Sequence, residues 1–320
     1  MLQDSENKSI LKRLGLSKLI NKKIDGITAT MQPYMIFPGV ELVLNEYEGN
    51  ELKCEHQALE NILQINYCLE GRLGWRLHNG DYIYLAENDI SLHMVNNCAL
   101  SSITLPLKHY KGISIFIDLT EFDIDKSVVL KQMNLSSMQL KQKFCRNNKT
   151  TVLPATNNIK NLFALLNLVP EEYKAMYFKL KFEEIMMFLA LLDLSKIAEK
   201  QIYPACTVDT IKRIHAKLIA NLEQRPTIEI LSREFLINTS TLKQVFKAVY
   251  GKPIAQYMKD YRMHEAANLL CQTNMTVKEV AEALGYENQS KFATAFKEIM
   301  QISPTQYRSY YKMEQEKNEK

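Results

Sequence analysis

Thr276-Val277-Lys278-Glu279-Val280-Ala281-Glu282-Ala283-Leu284-Gly285-Tyr286-Glu287-Asn288-Gln289-Ser290-Lys291-Phe292-Ala293-Thr294-Ala295-Phe296-Lys297 reads as a helix, a tight turn and a second helix. The same parts occur upstream: Thr227-Ile228-Glu229-Ile230-Leu231-Ser232-Arg233-Glu234-Phe235, a break at Leu236-Ile237-Asn238, then Thr239-Ser240-Thr241-Leu242-Lys243-Gln244-Val245-Phe246-Lys247. Before the turn the copies align at an offset of 49, pairing Thr227 with Thr276, Leu231 with Val280, Ser232 with Ala281 and Phe235 with Leu284. After it the offset is 50, pairing Leu242 with Phe292, Phe246 with Phe296, Lys247 with Lys297 and Tyr257 with Tyr307. The second turn therefore holds one residue more. Self-similarity at a fixed offset marks an internal duplication. The small residue in mid-helix, Ser232 or Ala281, lets two helices cross closely, and Gly285 supplies the left-handed backbone that such a turn needs.

The apolar side of each second helix fixes the outward side. Leu242, Val245, Phe246 and Val249 cluster at about 100° per residue, which leaves Ser240, Gln244 and Lys247 opposite and Lys243 at the edge. In the second copy Phe292, Ala295, Phe296 and Ile299 point inward, leaving Ser290, Thr294 and Lys297 outward, with Gln289 and Ala293 near the helix start. These outward positions hold no Asp or Glu, as a phosphate-lined groove requires. In a helix-turn-helix the second helix enters the major groove, its early residues meeting base edges and its flanks meeting phosphates. Gln pairs bidentately with adenine, Lys donates to guanine, and Ser or Thr contacts several bases. The expected DNA-reading set is Ser240, Lys243, Gln244, Lys247, Gln289, Ser290, Thr294 and Lys297, with Lys247 and Lys297 on phosphates. A joining helix from Ala255 to Leu270 spans about 24 Å at about 1.5 Å per residue. With its ends it can set the two recognition helices about one DNA turn, roughly 34 Å, apart.

The duplicated motif, the Phe-Lys pair closing each second helix, Arg262, Ala266 and Leu269 on the joining helix, the run Val280 to Tyr286, and Ser303-Pro304-Thr305-Gln306-Tyr307-Arg308 together resemble the DNA-binding domain of the AraC/XylS family of bacterial transcription regulators. One departure is Gly251-Lys252-Pro253-Ile254, whose Pro lies one place earlier than Pro304 does in the second copy. The resemblance implies a cytoplasmic, sequence-specific regulator of promoter DNA with RNA polymerase as a further partner. It also implies a cupin-like barrel that senses a small-molecule effector, and a homodimer paired through helices after that barrel. No cofactor is expected.

Composition agrees with a soluble chain of several domains: 320 residues, 46% hydrophobic and 24% charged. The net charge of +4 resides in the C-terminal part, where Thr207 onward carries 17 Lys plus Arg against 13 Asp plus Glu, while the rest balances 23 against 23. The six cysteines (Cys54, Cys68, Cys98, Cys145, Cys206, Cys271) form no close pair, which fits free thiols in a reducing compartment. There is no His-x-His, so the six histidines (His56, His78, His93, His109, His215, His264) are expected to be structural, with no metal site. Ile10, Leu11, Leu14 and Leu19 predict an amphipathic surface helix rather than a signal peptide. The longest apolar run, Ile185 to Leu192, is too short to span a bilayer.

Between Met35 and Ile117 short β-branched runs predict strands at Val40–Tyr47, Ile62–Leu69, Arg72–His78, Asp81–Ala86, Ile90–Val95 and Gly112–Ile117. Asn79-Gly80 suits a two-residue hairpin turn, with both residues at positive φ. That register sets Leu77 against Tyr82 and Trp75 against Tyr84, so Leu73, Trp75, Leu77, Tyr82 and Tyr84 share one face. Trp75, Tyr82 and Tyr84 are then the expected ligand-binding residues of a small β-barrel. Pro170-Glu171-Glu172 opens a helix, along which Tyr173, Met176, Tyr177, Leu180, Ile185, Met186, Leu189 and Leu192 form a stripe that packs on the barrel or pairs subunits.

The expected architecture is α+β and multidomain: an N-terminal helical segment (1–34), a cupin-like β-barrel (35–125), a helical packing or dimerisation segment (126–197), a linker around Pro204 (198–206), an all-α domain with two helix-turn-helix motifs (207–312) and a charged tail (313–320). Two other functional classes remain open. A DNA repair enzyme carrying this DNA-binding domain needs four clustered zinc cysteines or an activated acceptor cysteine, which the scattered thiols do not offer. A ligand-independent DNA-binding regulator needs no pocket.

Overall fold

The structure, a computed structural model, describes residues 9–318 apart from 25, 78, 99, 134, 167–168 and 198–201. His78 of the expected hairpin and part of the expected linker fall outside the described residues. The chain divides into two compact units, Met1–Ala205 and Cys206–Lys320.

The first unit opens with a short helix, α1 (Ile10–Leu14), and a 3-10 turn at Leu16–Leu19. Nine strands follow: β1 (Lys22–Ile24), β2 (Ile27–Phe37), β3 (Val40–Glu48), β4 (Glu51–Glu55), β5 (Ile62–Arg76), β6 (Tyr82–Ala86), β7 (Ile90–Met94), β8 (Leu100–Thr104) and β9 (His109–Asp118). Helices α2 (Val128–Gln132) and α3 (Ser137–Phe144) precede β10 (Thr151–Leu153), and α4 (Asn157–Phe163) and α5 (Glu171–Leu191) complete the unit. Neighbours run β1-β2-β3-β9-β5-β7-β10, with β6 and β8 on β5 and β4 on β8. The expected closed barrel is thus an open antiparallel sheet, since β1 and β10 do not pair among the described residues. β5 is one strand where the sequence suggests two. A register shift between Cys68 and Glu70, with Gly71 at φ 80°, bends it so that its first half pairs with β7 and its second with β6 and β8.

Both faces of the sheet are covered, which is why its strands read as apolar runs rather than clean alternation. One face buries Leu42, Leu63, Ile65, Leu92, Ile113 and Ile115 against Phe163, Phe178, Phe182, Ile185 and Leu189 of α4 and α5. The other buries Met31, Val43, Trp75, Tyr110 and Phe116 against Ile10, Leu11, Leu14, Leu16 and Leu19. The N-terminal segment is therefore no surface helix, and the expected helical stretch 1–34 contains the long strand β2. Two buried carboxylates hold it: Glu41 accepts the Leu11 amide at 3.0 Å and the Ser9 hydroxyl at 3.0 Å, and Asp118 pairs with Arg13 at 2.7 Å.

The hairpin register also differs by one residue. Arg76 faces Tyr82, Trp75 faces Ile83 and Gly74 faces Tyr84. Leu77 donates its amide to Asp81 and Gly80 donates to Leu77, giving a three-residue loop in which Gly80 is left-handed (φ 88°) and Asn79 is not. Asn79 instead accepts the Asp81 amide with its side chain at 3.1 Å. An Asn-Gly pair serves either loop, and the local sequence does not choose between them.

The second unit holds α6 (Ala205–Ala220), α7 (Ile228–Glu234), α8 (Thr239–Tyr250), α9 (Ile254–Gln272), α10 (Val277–Ala283), α11 (Gln289–Met300) and α12 (Pro304–Asn318). The early Pro253 acts as the N-cap of α9, so the joining helix is 19 residues, about 28 Å, long. No helix among the described residues is long and apolar enough to cross a membrane.

Candidate nucleic-acid interface

Each motif is built from the same contacts. Thr227 and Thr276 cap α7 and α10, and Asn238 and Asn288 cap α8 and α11 by accepting the Ser240 and Ser290 amides at 2.8 Å. Phe246 meets Tyr257 edge-on at 5.6 Å, and its counterpart Phe296 meets Tyr307 at 5.5 Å, so the offset of 50 holds in three dimensions. Leu231, Leu242, Phe246, Val280, Phe292 and Phe296 are fully buried. Two arginines hold the chain entering each motif: Arg262 donates to the carbonyls of Leu222 and Gln224, and Arg308 to those of Leu270 and Met275.

With those sides inward, Ser240, Lys243, Gln244 and Lys247 on α8 and Gln289, Ser290, Thr294 and Lys297 on α11 are all exposed. Two hydroxyls are already committed: Ser240 donates to Asn238 at 2.8 Å and Thr294 to the Ser290 carbonyl at 2.9 Å, which leaves them as acceptors and, for Thr294, a methyl. Lys291, exposed in the first turn of α11 and absent from the expected set, adds a cation beside Ser290. Its signal was its place one residue after Ser290, ahead of the buried Phe292. Glu298 lies on the same flank about two turns later, where Lys259 of α9 holds it at 2.7 Å. The recognition faces thus present amides, hydroxyls and lysines, the groups that meet base edges and phosphates.

The family described as a helix-turn-helix domain matches residues 231–310. The HTH-type transcriptional activator AarP of Providencia stuartii is 31% identical over 98 residues, which cover 31% of this chain and 73% of that protein. The chain belongs to the AraC-type helix-turn-helix transcription regulators. The HTH-type transcriptional regulator YtdP of Bacillus subtilis (strain 168) is 35% identical over 86 residues, but those span 27% of this chain and only 11% of the relative. Among solved structures, the C-terminal domain of the two-component response regulator yesN from Fusobacterium nucleatum is 32% identical, covering 31% of this chain and 95% of that one, at a TM-score of 0.29. The AraC-type likeness thus lies in the helical unit.

The ligand-binding residues expected in the sheet unit do not come together. The one-residue register difference puts Trp75 with Leu73, Ile83 and Leu85 on the face covered by α1. Tyr82 and Tyr84 lie on the other side of the hairpin, where they stack at 6.2 Å, and Tyr84 meets Tyr203. Trp75 lines a cavity of about 70 Å³, together with Leu16, Leu19, Met31, Leu73, Tyr110 and Phe116. Its floor is a polar network absent from the sequence reading: Tyr47 donates to Asn45, Asn45 to Ser114, Ser114 to Asn66 and Asn66 to Ser91, at 2.7–3.2 Å. Up to 69 residues separate these partners, and no motif announces them.

Proposed function

We propose that the chain is an effector-responsive transcription regulator that binds promoter DNA through both recognition helices, works as a cytoplasmic homodimer and contacts RNA polymerase at its sites. The observation that carries this reading is the pair of exposed faces on α8 and α11, polar and lysine-bearing at matched positions. The test is to select genomic fragments with the full chain and compare a selected site with a scrambled one by fluorescence anisotropy. The selected site should bind about 10³-fold tighter or more. Equal affinity for the two would reduce the reading to unspecific binding.

Dimerisation through α5 is supported by its two-sided character. Phe178, Phe182, Ile185, Met186 and Leu189 pack on the sheet, while Tyr173, Met176, Leu180 and Leu191 are 54–77% exposed along one ridge. A ridge of this spacing fits a second copy of itself. Replacing Met176 and Leu180 together by Glu should give a folded monomer that binds DNA more weakly, read by sedimentation; a wild type that is monomeric at high concentration removes the idea.

A non-enzymatic role is favoured over DNA repair by three of the thiols: Cys68 and Cys145 are buried, and burial pushes Cys145 up to about 12 and raises Cys271, the opposite of an activated acceptor, while Cys206 is exposed. Among the described residues no group of His, Cys, Asp or Glu could hold a metal.

A further inference from the structure

The cavity beneath the Leu16–Leu19 turn carries information about what it takes. Two polar atoms that line it are deeply buried without a hydrogen-bond partner: the Trp75 indole N–H, on a residue 4% exposed, and His93 Nδ1, on a residue 3% exposed. The rings lie 5.7 Å apart, on β5 and β7. Buried polar groups are almost always paired, as Tyr47, Asn45, Ser114, Asn66 and Gln64 of this cavity are with one another. An indole N–H can only donate, so it calls for an acceptor. Burial pushes His93 down to about 4, so the ring is neutral at pH 7 and Nδ1 can accept or donate according to its tautomer. None of the described lining residues is a Lys, Arg, Asp or Glu. A carboxylate, phosphate or ammonium entering here would lose its water and meet no counter-charge.

We propose that this cavity binds an uncharged, flat, largely apolar molecule carrying a carbonyl or amide group, which receives the Trp75 N–H and bonds to His93 Nδ1 while its ring lies among Leu16, Leu19, Leu73, Tyr110 and Phe116. The inference rests on the reading of the chain as effector-responsive and names the class of effector. Leu16 and Leu19 belong to the segment held by Glu41 and Asp118, so the occupant touches that segment as well as the sheet.

Three probes of one size and shape separate charge from fit: naphthalene-2-carboxamide, 2-naphthoate and 2-naphthamidinium. Trp75 is the chain's sole tryptophan, so its emission reports occupancy directly. The full-length protein should bind the carboxamide with a change in that emission, at least tenfold more tightly than either ion. If an ion binds as tightly with the same change, the cavity is a receptor site and the effector reading stands, but the assignment of an uncharged ligand is overturned. If none of the three changes the emission at millimolar concentration, both fall. His93→Leu supplies the second measurement. Removing an unpaired buried nitrogen should raise the melting temperature of the empty protein while weakening the carboxamide at least fivefold. Unchanged affinity in that variant would remove His93 from the site.

Discussion

The two helix-turn-helix copies share a backbone plan but not their surroundings. At the turn, Leu236 and Gly285 occupy the same place and both are left-handed, with φ 52° and 71°. Leu236 is 93% exposed. Gly285 is pressed on the loop ahead of the first copy, where an added Cβ would lie 2.2 Å from the Glu223 carbonyl oxygen. Beside it Tyr286, next to the one-residue insertion, lies under the Arg225 guanidinium at 4.2 Å, and Arg262 holds the carbonyls of Leu222 and Gln224 on the same loop. The second turn is thus a docking surface that fixes one copy against the other, whereas the first is free to face solvent. The exposed amide and lysine also sit at different places, Lys243 and Gln244 in the first copy where the second has Ala293 and Thr294, and Gln289 and Lys291 in the second where the first has Thr239 and Thr241. If Lys243 and Gln244 carry most of the base reading, the duplicated motif divides framing from reading between its halves.

The largest effect should come from breaking the docked turn. Gly285→Ala meets both an unfavourable φ and a backbone oxygen, and should cost about 3 kcal/mol of the helical unit's stability. Leu236→Gly at the matching place should stay within about 1 kcal/mol, because relief of left-handed strain opposes the added freedom of the unfolded chain. Far-UV circular dichroism follows the helical unit, while the emission of Trp75 follows the sheet unit, so the two transitions can be read separately. Equal tolerance of both substitutions would mean that the contact with Glu223 does not hold the copies together.

Reading is tested next. Gln244→Ala should cost about 1–3 kcal/mol on the preferred site and relax the choice at one base pair, with little change in salt dependence. Thr294→Ala should cost less, since that hydroxyl donates to the Ser290 carbonyl and keeps only an acceptor and a methyl for the groove. Anisotropy on a selected and a scrambled site measures both. A larger loss at Thr294 would overturn the expectation that the first copy carries more of the base reading.

This half of the molecule was legible because its determinants are local. A period-3.6 pattern and two aromatic counterparts at fixed offset were enough to orient eight side chains, all of which are exposed. In the sheet unit the determinants are distant. Tyr82 and Tyr84 were expected beside Trp75 because an Asn-Gly pair suits a two-residue loop, and one added loop residue moves every partner to the other face. The N-terminal segment showed its apolar face but not the sheet it covers, and β2 was missed because Gln32 and Pro33 interrupt its apolar pattern. The polar floor of the cavity consists of ordinary Asn and Ser residues brought together by strand register alone.

The caps distinguish the copies more finely. Thr276 and Glu279 reciprocate, each side chain bonding the other's amide at 2.6–3.2 Å, whereas Thr227 caps the Ile230 amide and the isoleucine cannot answer. Thr276→Ala should cost about 1 kcal/mol, and Thr227→Ala should lie toward the lower end of the usual range of about 0.5–2 kcal/mol. Hydrogen bonds from Thr276 hold the Glu279 carboxyl below its usual range. Its contribution is therefore present above the unfolded carboxylate pKa and is lost as pH falls through the lowered one. Thermal melts at neutral and acid pH should show the difference between the two variants shrinking on acidification, and a constant difference would deny Glu279 its part.

The smallest effect concerns charge, where the copies should behave alike. Lys247 and Lys297 sit late on their recognition helices, so if the helix ends leave the groove there, either change to Ala should weaken selected and scrambled DNA equally. Each should also lower the slope of log K against log salt by about one, as one fewer counterion is released. The equality is conditional, because Glu298 follows Lys297 while Ala248 follows Lys247. Lys259 holds the Glu298 carboxylate at 2.7 Å and offsets it. Lys259→Ala should therefore unmask a negative charge beside the phosphates, weakening both DNAs more than the loss of a distant lysine would, and Glu298→Gln should restore the binding in the same chain. If Lys259→Ala is silent, Glu298 is remote from the phosphates, and the second recognition helix leaves the groove earlier than its matched lysine implies.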